Sequence, residues 1–103
     1  MSETPVLVVV EIVSVENPAG LKDYAERASA LIGSYGGTVL GQGATPLDGE
    51  PGFAPLVIQR WTSEAAFRTW IASDDYRPLN EIRAASATMR AAIVPIAAGA
   101  DGT

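Results

Sequence analysis

The chain has 103 residues, a net charge of −5 with 7 Lys and Arg against 12 Asp and Glu, and neither Cys nor His. That length suits a single domain, 1–103, and a composition of 48% hydrophobic and 18% charged residues is globular rather than disordered. Without Cys or His there is no thiolate nucleophile, disulfide, Cys/His zinc site or Ser-His-Asp triad, and with so few basic residues no stripe exists to neutralise phosphates.

No metal and no cofactor is therefore expected, and any proton transfer would use a carboxylate, a tyrosine, a lysine or bound water. Nucleic acid and anionic membranes are excluded as partners on charge. The start, Met1-Ser2-Glu3-Thr4-Pro5, lacks a basic leader region, and the apolar run Val6–Val10 is too short for a signal core or a membrane span. A cytoplasmic protein is expected.

Val6–Val15 is rich in β-branched residues and predicts a first strand. Val8, Val10 and Ile12 alternate with Val9, Glu11 and Val13, so both faces are largely apolar and both are expected to be covered. Asn17-Pro18 starts a helix, with Asn at the N-cap and Pro at the first helical position. Leu21, Tyr24, Ala25, Ala28, Leu31 and Ile32 continue it at helical spacing to Gly33. Tyr35-Gly36-Gly37 is a turn, Thr38–Gln42 a short strand, and Gly43–Pro55, with its prolines and glycines, a loop or a loosely paired hairpin arm.

Leu56–Trp61 is the third strand. Thr62 or Ser63 caps a helix from Glu64 to Ala72 that buries Phe67, Trp70 and Ile71. Ser73-Asp74-Asp75 breaks that helix, which restarts, with Pro78 tolerated in its first turn, and runs to Ala87. Met89–Ile96 is the last strand and Ala97–Thr103 a tail. The order β-α-β-β-α-β is the ferredoxin-like, split βαβ arrangement: an α+β fold with a four-stranded antiparallel sheet and helices on one face. The apolar second face predicts a homodimer with twofold symmetry.

Tyr76 and Arg83 stand two helical turns apart with Leu79 between them on the same face, so Arg83 is drawn inward with Leu79. An inward Arg needs an anion. It either binds a ligand's carboxylate or enolate oxygen, or it pairs with Glu11, Asp75 or an acid of a second copy, or its head snorkels to solvent. Glu11, between Val10 and Ile12, is either a general acid or base with a raised pKa or a partner of Arg60 or Arg90. Asp48, in Leu47-Asp48-Gly49-Glu50, either closes over a site or belongs to an ordinary turn. These four, Glu11, Asp48, Tyr76 and Arg83, are the catalytic candidates.

Tyr24, Tyr35, Arg60, Trp61, Trp70 and Ser73 are the candidates for substrate contact, weighed against plain core roles for the aromatics. Ser73 also reads as an N-cap, and with no base in its local sequence it is rejected as a nucleophile. Gly41-Gln42-Gly43 precedes no helix and is not a phosphate loop.

These motifs resemble a bacterial family of domains of unknown function, DUF1330, within the dimeric α+β-barrel superfamily. The resemblance runs from Val8 to Val94. It rests on Asn17-Pro18 with Tyr24, Tyr35-Gly36-Gly37, Leu47-Asp48-Gly49, a strand ending at Trp61, and Trp70-x-x-Ser73-x-x-Tyr76 with Arg83. The family has Asp at the position of Asn17 and Glu at the positions of Asp48 and Arg60. A mechanism using the acid at the last of these does not carry over. The resemblance implies a homodimer with a small-molecule pocket between sheet and helices. Superfamily relatives include cofactor-free oxygenases, lyases, isomerases and polyketide cyclases, but a shared fold does not bring a shared reaction. The expectation is a cofactor-free acid/base enzyme (isomerase, cyclase or lyase) acting on a small molecule. The alternatives are a non-catalytic dimeric binding or stress-associated module and a cofactor-free oxygenase.

Overall fold

A strand whose residues are nearly all β-branched must be covered on both sides or paired on both edges, and Val6–Val15 (β1) is paired on both. In the computed structural model, which describes residues 4–49 and 52–97, β1 lies between Leu56–Trp61 (β3) and Ala87–Pro95 (β4). Gly37–Gly43 (β2) flanks β3, giving the antiparallel order β2-β3-β1-β4. Pro18–Ile32 (α1), Glu64–Ile71 (α2) and Tyr76–Ser86 (α3) supply the helices. This is the expected ferredoxin-like α+β fold. Beyond Ala97 the expected tail lies outside the described residues.

Register assigns the faces. Val8 stands opposite Gln59 and Ile93, and Val10 opposite Val57 and Ala91. Because side chains alternate along a strand, Val6, Val8, Val10, Gln59 and Trp61 share the helix-covered face. Leu7, Val9, Glu11, Ile58, Arg60, Arg90 and Val94 share the other, which carries no helix. A bulge between Ile12 and Ser14 shifts the register near the end of β1.

Local chemistry sets the helix starts. Asn17 Oδ1 accepts from the Gly20 amide at 3.1 Å, and Ser63 Oγ accepts from the Ala66 amide at 3.0 Å. Of the two candidate caps for α2, Ser63 is the one used. Some boundaries differ from expectation. β4 begins at Ala87 rather than Met89, because Ala87 and Thr88 pair with Val15 and Ser14. β2 takes in Gly37, expected in a turn, through ladder pairing with Trp61, and Gly43, which pairs with Leu56 as the first residue of a hairpin arm would.

The core comprises Val6, Val8, Ile32, Trp61, Trp70, Tyr76 and Leu79. Trp61 is wholly buried, with Phe67 edge-on to it at 5.3 Å. Its indole lies flat against Gly37, where a Cβ would come within 2.6 Å of the ring. A glycine is therefore required there by close approach, not by backbone conformation. Among the described residues no helix is long and apolar enough to cross a membrane.

Gly37→Ala should lower stability by about 1–3 kcal/mol, since a buried indole cannot yield without disturbing the core. The readout is a lower urea midpoint at unchanged slope. Gly41, where an added Cβ meets nothing within 4 Å, is the control position and should tolerate Ala with little change.

Candidate functional site

The break between α2 and α3 organises the site. Ser73 Oγ donates to the Trp70 carbonyl at 2.7 Å and accepts from the Tyr76 amide at 3.2 Å. The Ser73 carbonyl accepts from the Tyr76 and Arg77 amides. One hydroxyl thus ends α2 and starts α3, and its spacing presents Trp70 and Tyr76 to each other. Their rings lie 5.0 Å apart, and the Tyr35 ring meets the Trp70 ring at 5.0 Å on another side. The Tyr35 hydroxyl donates to Asp75 Oδ2 at 2.9 Å, tying the turn after α1 to the break.

Tyr24, from the inward face of α1, meets Tyr76 edge-on, and their hydroxyls are 3.2 Å apart. Two turns along α3, Arg83 directs Nε and Nη2 at Asn80 Oδ1, at 3.2 and 2.7 Å. A neutral amide thus orients the guanidinium without neutralising it. Among the described residues Arg83 makes no salt bridge. Glu11 and Asp75, weighed as its partners, are engaged by Arg90 and Tyr35 instead.

These groups open onto a cleft of about 500 Å³ between the sheet and α2–α3. Val10, Phe67, Trp70, Ile71, Met89 and Ala91 supply its apolar wall, and Tyr24, Gln59, Tyr76, Asn80, Arg83 and Arg90 the polar groups. A second cavity of about 630 Å³ continues beneath α1 and shares Val10, Tyr24, Gln59, Trp70 and Met89 with the first. Among the described residues no carboxylate lines either.

Burial, and then the bond to Tyr76, push the Tyr24 hydroxyl well above its ordinary pKa, against the opposing pull of Arg83. Tyr24 therefore stays a neutral phenol, able to donate. Two phenols and a guanidinium around an apolar cleft can hold an oxyanion. Among the described residues no group of three or more Asp and Glu is arranged to hold a metal.

The structure brings together Tyr24, Trp70, Tyr76 and Arg83. Tyr35 and Ser73 buttress the cleft from behind without lining it, and Trp61 is core. Glu11 stands on the helix-free face, in register with Arg90, whose Nε donates to Glu11 Oε1 at 2.7 Å. Arg60 stands on that same face, opposite Leu7 and Thr38. Asp48 is exposed in the loop between β2 and β3. Three polar lining residues, Gln59, Asn80 and Arg90, are not among the sequence candidates. Asn80 falls between Tyr76 and Arg83 at helical spacing, and Gln59 shares the helix-covered strand face with Val57 and Trp61, so the sequence carries a signal for both.

The family model described as "Domain of unknown function (DUF1330)" matches residues 5–97. The chain belongs to the DUF1330 family. No curated protein is significantly similar to it in sequence. Among solved structures, this DUF1330 chain is similar to a protein of unknown function from Rhodopseudomonas palustris, at 20% identity and TM-score 0.76, over 92% of this chain and 84% of that one. It is also similar to SnoaB, a cofactor-independent oxygenase from Streptomyces nogalater, at 21% identity and TM-score 0.67, over 91% and 94%. A dimeric ferredoxin-like protein of unknown function from Thermobifida fusca matches at 14% identity and TM-score 0.65, over 91% and 92%. At these identities the likeness shows the fold.

Native Tyr24 keeps its proton where an unfolded tyrosine, near 10.0, loses it. Its contribution to stability is complete below that value and declines as pH rises past it. Urea titrations at a series of alkaline pH values should show a steeper loss of stability for the native chain than for Tyr24→Phe, which lacks the titrating group.

Proposed function

We propose that the cleft binds a small, largely apolar molecule through one anionic or enolisable oxygen and stabilises that oxygen as an oxyanion. The observation that carries this reading is Arg83, half-buried at an apolar cleft, oriented by Asn80 and paired with no carboxylate among the described residues. A charged donor in such a place favours an anionic ligand, and the hydrogen-bonded Tyr24–Tyr76 pair, with one hydroxyl proton shared between them, leaves the other as a directional donor. The chemistry that follows is cofactor-free, through an enolate-like intermediate, as in an isomerase, cyclase or lyase. Because Glu11 and Asp48 do not line the cleft, the reading rests on stabilising the anion rather than on a carboxylate base.

A second reading, a cofactor-independent oxygenase, is supported by the same geometry. A phenolate or enolate held against Trp70 and Phe67 is itself the electron donor that dioxygen requires. The substrate would supply all four electrons: a phenol loses its O–H proton and a ring C–H hydrogen as a quinone carbonyl forms, one oxygen atom staying in that new carbonyl and the other leaving as water with the two hydrogens. The description of SnoaB agrees with this reading at the level of fold.

The reading includes a homodimer through the helix-free face. Leu7, Val9, Ile58, Ala92 and Val94 form an apolar surface there, and structural neighbours are described as dimeric.

Aromatic carboxylates and phenols should raise the melting temperature of the native chain. Arg83→Met should weaken their binding roughly 10- to 100-fold, the range of one charge-assisted hydrogen bond. Oxygen uptake with the same ligands separates the oxygenase from the other reactions, and binding without turnover would mark a non-catalytic module. Ile58→Asp, in the middle of the open face, should leave a monomer of 10.7 kDa by light scattering, against a native dimer.

A further inference from the structure

Gln59 is a polar side chain on the buried face of the sheet, and its amide orientation is determined. Trp61 Nε1 donates to Gln59 Oε1 at 2.8 Å. An indole N–H can only donate, so the Gln59 oxygen must face it and the amide NH₂ must face away. Residues two apart on a strand share a face, and Trp61 is wholly buried, so the indole holds that orientation firmly. Among the described residues the NH₂ has no partner. Gln59 also lines both cavities, at the waist they share with Tyr24 and Trp70.

We propose that Gln59 is a specificity-determining residue whose NH₂ donates to a neutral acceptor, a carbonyl oxygen, at the end of the ligand remote from Arg83. This rests on the oxyanion reading of the cleft and adds the ligand's second anchor. β1 separates β3 from β4, and Gln59 pairs with Val8 whereas Ala91 pairs with Val10, so Gln59 stands about 12 Å from Ala91, two strand spacings across and two residues along, and farther still from Met89; both share the cleft wall with Arg83. The Trp70 and Phe67 rings and Val10 fill the interval with apolar surface. The ligand class is therefore a flat, apolar molecule about two fused rings long, with an anionic oxygen at one end and a carbonyl at the other.

The test uses a naphthoate bearing an acetyl group on the ring remote from the carboxylate, and its isopropenyl isostere, which has the same shape but no acceptor. By calorimetry the native chain should bind the acetyl probe about five- to tenfold more tightly, the range of one neutral hydrogen bond. Gln59→Glu keeps an acceptor for the Trp61 indole but loses the donor. Gln59→Met loses both. Each should bring the ratio of the two affinities to about one, while the Trp61 indole proton resonance stays in place in Gln59→Glu. Arg83→Met should weaken both probes alike and preserve the ratio. Equal affinity of the native chain for the two probes, or a preference that survives both Gln59 variants, would overturn the role of Gln59 while leaving the anion site standing. Unchanged affinities in Arg83→Met would overturn the anion site, with the ratio still reporting on Gln59. Failure of both probes to bind would overturn the ligand class.

Discussion

Everything at the cleft depends on where Trp70 sits. Its indole is 3% exposed and lies between the rings of Tyr35 and Tyr76, each 5.0 Å away. It is also a wall of both cavities. A large ring in that position cannot be held by helix propensity alone, because an uninterrupted helix would carry Tyr76 past it. The Ser73 hydroxyl resolves this by ending one helix and starting the next within a single turn. Tyr35 and Asp75 then close the arrangement from the side of α1, so the aromatic cluster joins three elements that are distant in sequence.

The alternation of the sheet divides the charged residues into two groups with different work. On the helix-free face, Glu11 and Arg90 stand directly opposite each other and satisfy each other across the β1–β4 ladder. On the helix side, Arg83 and Asn80 sit beside two phenols, with no acid among the described residues that line the cleft. One strand position decides the face, so Glu11, only one residue from the cleft-lining Val10, stands on the helix-free face, while its partner Arg90 on the edge strand β4 also lines the cleft. The two arginines near the cleft differ in the same way. Arg90 is held by a carboxylate, whereas Arg83 is held by an amide that leaves its charge intact.

Most of the fold was legible because its signals are local. β1, α1 and β3 begin and end where β-branched runs, the Asn17-Pro18 start and the Ser63 cap dictate, and the helix break follows from Ser73-Asp74-Asp75. Glycine was the weak point: Gly37 reads as a turn residue but belongs to β2, because the Trp61 ring leaves no room for a side chain there, whereas Gly43 closes β2 opposite Leu56 with the positive φ that glycine allows. The site was legible in part. Tyr76 and Arg83 share a helix face, so their approach follows from spacing, whereas the Tyr24–Tyr76 contact joins residues on different helices, which no local pattern specifies.

The sequence by itself limited the side-chain chemistry on offer, since lacking Cys and His removes thiols and imidazoles, and it determined the order of elements, since periodicity and caps act over a few residues. Only the tertiary structure decided which titratable groups meet. Pairing register assigned Glu11 to Arg90 and away from the cleft, and helix packing brought Tyr24 to Tyr76. The Gln59 amide acquired its direction from a buried indole two residues away, and only folding fixes that indole against Gly37. Register and packing depend on contacts between residues far apart in the chain, so a linear pattern constrains them weakly.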